Sequence, residues 1–136
     1  MDARHVVIAA GMLQLLQLPG MVLGQRLLGW KSELARLELV SRRLVTAMAT
    51  GIVLYVVGTG FIAICMPFAV ATTRLGTSLC FLQMVAWSAR VAQQGLLIGP
   101  VWPSAARWLH RALLTVYGTL ALSYGWVFAG AYASGG

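Results

Sequence analysis

Four apolar blocks, covering residues 6–28, 44–66, 75–98 and 109–131, restrict this chain to one broad kind of fold. At about 1.5 Å per residue, each block wound as a helix reaches across the ~30 Å hydrocarbon core of a bilayer. The blocks run too long, and alternate too little, to read as half-buried strands. The breaks between them carry helix-stopping chemistry: Pro67 closes the second block, Gly99-Pro100 closes the third, and Pro103-Ser104 starts the fourth. Only 10% of the 136 residues are charged. A soluble surface needs roughly 25%. The expected fold is therefore all-α, a single integral-membrane domain over residues 1–136 built as a four-helix transmembrane bundle.

The first block departs most from a plain span. It holds Gln14, Gln17, Gln25 and the Pro19-Gly20 pair, so a kink at Pro19 is expected. Arg4 is a weak basic start and no small-x-small site precedes a polar stretch, so the block reads as a span and not as a cleaved signal peptide. Between the first two blocks, Lys31 to Arg43 interleaves charges with Leu34, Leu37, Leu39 and Val40. This pattern predicts an amphipathic extension of the second helix beyond the bilayer, with Glu38 paired to Arg42 one turn later. The same stretch could also offer a docking surface to a soluble partner.

The formal net charge of +7 is distributed unevenly. Arg26, Lys31, Arg36, Arg42, Arg43, Arg107 and Arg111 fall in or beside loops 29–43 and 99–108, whereas the opposite side holds only Arg4 and Arg74. By the positive-inside rule both termini face outward, and the two basic loops face the cytoplasm or an organelle matrix. Trp30, Trp102 and Trp108 would then form an aromatic belt at that inner interface. The expected location is a bacterial or organellar inner membrane, with anionic phospholipid bound at the basic side. No basic patch is interleaved with stacking aromatics as nucleic-acid binding requires.

Helices in lipid associate by close packing and interhelical hydrogen bonds. Ala47, Gly51 and Gly58 recur along one face of the second block, and Gly118, Ala121 and Gly125 along one face of the fourth. Both stripes are expected to let backbones approach, within the chain or between chains.

Arg90 is the most demanding residue. It lies in the third block about ten residues from Pro100, or roughly 15 Å along a helix, which is beyond easy snorkelling. A charge at that depth costs from about 2.5 to more than 10 kcal/mol unless it is solvated. The three acids, Asp2, Glu33 and Glu38, all fall outside the blocks. Arg90 must therefore meet neutral acceptors, water, or an anion from another molecule. Gln14, Gln17, Tyr55 and Tyr117 come within reach of its depth. Gln83 and Gln94 share its helix face, and Trp87 could stack on the guanidinium. This layer reads either as a register-fixing core or as a meeting point for a neighbour's anion.

His5 and His110 sit at opposite ends and cannot jointly ligate one metal or haem. Cys65 and Cys80 flank the second connection, where a disulfide is conceivable but packing roles are the rule. No paired carboxylates, nucleophile elbow, phosphate loop or metal-ligand spacing occurs. The sequence thus points away from an enzyme acting on a soluble substrate, and from a cofactor held by this chain. It points toward a non-catalytic accessory or assembly subunit of a larger membrane complex, of an energy-transducing (respiratory or photosynthetic) kind on general grounds, whose partners are other membrane subunits and anionic lipids. The alternatives are a homo-oligomeric transporter or channel with Arg90 in a polar path, and a haem- or quinone-handling subunit.

Overall fold

The computed structural model describes residues 2–134, and every regular element among them is helical. Helix α1 (Ala3–Leu16) is capped by Asp2, whose side chain accepts a hydrogen bond from the Arg4 amide at 3.0 Å. It runs almost directly into α2 (Leu18–Leu27) through one turn residue, Gln17. Pro19 explains the break. Lacking an N–H, it cannot bond the carbonyl four residues back, and its ring crowds that carbonyl. Gly29 then turns the chain with φ 63°, a left-handed conformation that a Cβ disfavours, into the short α3 (Trp30–Arg36).

Leu37 and Glu38 are extended, and α4 (Leu39–Cys65) begins after them. The expected continuous amphipathic extension is therefore two pieces. Glu38 lies outside α4 as its cap residue, and its side chain makes no ion pair with Arg42. The pair that forms instead is Arg36 to Glu33, at 3.2 Å within α3. A further short helix, α5 (Pro67–Thr72), fills the second connection. Met66 is driven out of the helical region by the proline after it, which ends α4 there.

Thr73 opens α6 (Arg74–Ala92), its hydroxyl accepting from the Gly76 amide at 3.0 Å. The third apolar block then changes character. Gln93–Ile98 is π-helical, followed by two 3₁₀ turns, Gly99–Val101 and Ser104–Ala106. Helix α7 (Arg107–Ser134) completes the chain. Among the described residues, three helical stretches are long and apolar enough to cross a membrane: Ala3–Leu27, Leu39–Cys65 and Ser104–Ala133. Helix α6 is not among them, because Gln83, Arg90 and its small polar residues dilute its apolar content.

In cross-section the order is α6, α7, α1, α4, with α5 wedged against α1 and α6 at one end. Helix α7 presents Leu113, Tyr117, Leu120, Tyr124 and Val127, a buried stripe at three- and four-residue spacing. Neighbouring rods are antiparallel. Met84 meets Gly125 and Trp87 meets Tyr117 across α6 and α7, while Gly20 meets Leu113 and Gln14 meets Tyr124 across the first rod and α7.

Backbones come closest at places the small-residue stripes do not mark. A Cβ on Gly11 would lie 2.9 Å from both Ala63 Cβ and the Gly60 carbonyl, so α1 and α4 cross at Gly11 and Gly60. A Cβ on Gly76 would overlap the carbonyls of Ala69 and Val70 at the α5–α6 corner. By contrast, Gly51, Gly58 and Gly118 have nothing within 4 Å of a notional Cβ, and Ala47 is exposed. Ala121 is half-buried, and Gly125 alone of the expected stripes meets another helix, with Met84 Sδ at 3.1 Å from its notional Cβ. Gly58 and Gly118 lie on faces turned from the other helices; for Ala47 and Gly51 the reason is the kink at Pro19. It carries α2 toward the start of α7 and away from the first half of α4.

Candidate functional site

The polar layer forms around Gln14, and Arg90 lies outside its centre. Gln14 is completely buried on the α1 stripe made by Val6, Val7, Ala10 and Gly11. Its amide nitrogen donates to the Val56 carbonyl at 2.9 Å and to Thr59 Oγ1 at 2.6 Å. Its amide oxygen accepts from Tyr124 Oη at 3.0 Å. One side chain thus ties α1 to both α4 and α7. Thr59 passes the chain of bonds on by donating to the Tyr55 carbonyl at 2.7 Å. The Tyr55 side chain, expected in the layer, is 39% exposed on α4. Tyr124 and Thr59 escaped the sequence reading, although Tyr124 stands seven residues after Tyr117 on the same face.

Arg90 is half-exposed on α6. Its guanidinium donates to Gln93 Oε1 at 2.6 Å and stands 5.7 Å from the centre of the Tyr117 ring. The acceptor is a neutral glutamine, one of the kinds of partner expected, but it is not the expected Gln83 or Gln94. Gln93, three residues on, is within ordinary helical reach of Arg90, and Gln94 is turned toward α7. There its amide donates to His110 Nδ1 at 3.0 Å. Trp87 does not cover the guanidinium either. It stacks on Tyr117, with ring centres 5.6 Å apart, and Tyr117 faces the cation in its place.

The rest of the layer is buried without partners. Both amide atoms of Gln17 and of Gln83, and the indole N–H of Trp87, are buried with no hydrogen bond among the described residues. The helix pairings above set these three side chains level with the Tyr117–Tyr124 part of α7. An unmet buried polar group costs about 1–3 kcal/mol. The layer is therefore a fully satisfied Gln14 hub beside an unsatisfied seam on α6 and the end of α1.

The basic and aromatic residues gather at one end, around α3, the start of α4 and the start of α7. Arg26, Lys31, Arg42, Arg43, Arg107 and Arg111 have no ion pair among the described residues, while Arg36 is taken by Glu33. Trp108 is largely exposed and Trp30 partly so. Trp102 departs from the expected belt. It is buried, donates to the Ala106 carbonyl at 2.6 Å, and packs on Gly24 and the His110 ring. Arg4 stacks 4.7 Å over Phe68 at the other end, where His5 stands 4.0 Å from Asp2. The two histidines are thus at opposite ends. Cys65 is exposed, Cys80 is buried, and both are free thiols. Among the described residues no cluster of three or more His, Cys, Asp or Glu could hold a metal ion.

The other notable surface is on α4. No residue from Leu39 to Tyr55 is buried, and only Val45 and Ala49 are half-buried. That stretch is about 25 Å of helix little covered by the other described residues. Leu39, Arg43, Thr46, Ala47, Gly51 and Leu54 line a shallow groove along it.

The chain matches no protein-family profile, no curated protein and no solved structure.

Proposed function

We propose that this chain is a non-catalytic subunit of a larger membrane complex, and that the open half of α4 is where it meets a neighbouring transmembrane helix. In this reading α6 is a fourth span, with Gln83 and Trp87 turned toward the core, and the domain is a four-helix bundle. One observation carries the proposal. An apolar helix long enough to span leaves its first half uncovered, and that half bears the Ala47–Gly51 pair at a spacing of four that favours close helix contact. Thr46 and Thr50 flank the groove, and their hydroxyls bond back to Arg42 and Thr46 carbonyls at 2.8 and 2.9 Å, which smooths the surface for another backbone.

The test uses substitutions that fill the groove without touching this chain's own core. Gly51→Leu has room, since nothing stands within 4 Å of its Cβ position. Extraction in mild detergent, followed by a native gel and mass spectrometry, is expected to recover larger subunits with the native chain and to lose them with Gly51→Leu. The thermal midpoint of the isolated chain should not move. Recovery of a homogeneous homo-oligomer with no other subunit would overturn the proposal in favour of a self-assembled channel or transporter.

The orientation proposed with it places both termini outward and the Arg26–Arg43 and Arg107–Arg111 side inward. Cys65 then lies toward the outer face and Cys80 is shielded. A membrane-impermeant thiol reagent applied to intact cells or organelles should label the native chain and not Cys65→Ser. Labelling only after the membrane is opened would reverse the topology.

A further inference from the structure

We infer that the groove between α2 and α3 is a binding site for the phosphate of an anionic phospholipid. The inference rests on the reading of the chain as membrane-embedded, and it deepens that reading by assigning lipid binding to one place. Gly29 makes the site. Its left-handed turn folds α3 back beside the end of α2, and the Ser32 hydroxyl fastens the turn by donating to the Gly29 carbonyl at 2.7 Å. Gln25 and Arg26 from α2 then line the same groove as Trp30 and Lys31 from α3, over an apolar wall of Val22 and Ala35.

Charge selects the ligand. Arg26 and Lys31 bring two positive charges to the groove, and neither has an ion pair among the described residues. The nearest acid in sequence, Glu33, is already engaged by Arg36. A phosphodiester between the two cations, with the Gln25 amide as a further donor, satisfies what the chain leaves open. Val22 and the partly exposed Trp30 continue the groove as apolar surface, which suits the glycerol and upper acyl region of a lipid. A free phosphate ion would use only the charged half.

The experiment is native mass spectrometry of the purified full chain in a neutral detergent, titrated with phosphatidylglycerol, phosphatidylcholine or inorganic phosphate. One phosphatidylglycerol should bind in preference to phosphatidylcholine, and inorganic phosphate should not displace it. The double variant Arg26→Gln/Lys31→Gln should bind on the order of 10- to 30-fold more weakly, as expected for two basic side chains at a lipid headgroup. Both positions are exposed, so its thermal midpoint should match that of the native chain. The comparison variant Arg42→Gln/Arg43→Gln removes the same charge from α4 and should weaken binding far less. Equal loss in both variants would replace the site with a diffuse basic surface, and displacement by inorganic phosphate would replace the lipid with a free anion. Either result overturns the inference. Binding in detergent is independent of which way the chain crosses the membrane, so it can fail while the Cys65 labelling and the subunit recovery succeed, and the reverse.

Discussion

Gly76→Ala is expected to be the most damaging small substitution in this chain, lowering its stability by about 3 kcal/mol. The added methyl would overlap the carbonyl oxygens of Ala69 and Val70 and the Val70 Cα, all of them backbone. No side chain can swing aside to make room. Helix α5 must instead move off the start of α6, and that displacement also pulls the Gly76 amide from the Thr73 hydroxyl that caps α6. The cap alone is worth about 1 kcal/mol. In mild detergent the thermal midpoint should fall on the order of 10 °C. Gly118→Ala serves as the comparison. Nothing stands within 4 Å of its Cβ position, and alanine is the better helix former by up to ~1 kcal/mol, so its midpoint should hold or rise. Equal midpoints for native chain and Gly76→Ala would show that the α5–α6 corner is not packed as described.

Gln14→Leu is the second large effect. The side chain is replaced by one of similar volume, so the loss is chiefly of hydrogen bonds. Three interhelical bonds disappear together, to Val56, Thr59 and Tyr124. Such bonds average about 0.6 kcal/mol in a bilayer and reach about 1.7. With the Tyr124 hydroxyl left unmet in a buried place, the total comes to about 2–4 kcal/mol. Because the bonds run from α1 to both α4 and α7, the variant should also loosen α4 from the rest, and protease cleavage in the 37–38 connection should speed up. Gln83→Leu is the matched control. Its two amide atoms are already unpartnered, so an apolar replacement should leave the midpoint unchanged or raise it. A midpoint drop for Gln83→Leu as large as that for Gln14→Leu would mean that the α6 seam is hydrogen-bonded in the membrane after all.

Much of the architecture could be read from the residues themselves, and for a physical reason. Length and apolarity act locally, so three of the four expected apolar spans and the breaks at Pro67 and at Gly99–Pro103 were legible, while the third block, α6, falls short of a span on apolarity. Proline chemistry is equally local, and the break beside Pro19 followed from a missing N–H. The absence of an intramembrane acid likewise ruled out an ion pair for Arg90 within the blocks, and among the described residues its guanidinium bonds Gln93.

Which glutamine served could not be read, because Gln93 and Gln94 are both within a turn of Arg90 and the packing of α7 engages Gln94 through His110. What the small-residue stripes face could not be read for a related reason. Spacing marks a face but not what stands opposite it. Gly11 and Gly60 make the close crossing before the kink, Gly58 lies on a face turned from it, and the kink at Pro19 steers α2 toward α7, which leaves Ala47 and Gly51 open. Trp102 reads as an interfacial anchor by position, yet Gly24 and His110 enclose it. The sequence by itself determined that the chain is helical and apolar enough to enter a membrane, because backbone hydrogen bonding and hydrophobicity are settled within each segment. Which polar groups meet, and which faces are left for others, only the tertiary structure decided, because those depend on how the helices pack against one another and on where the kink sends α2.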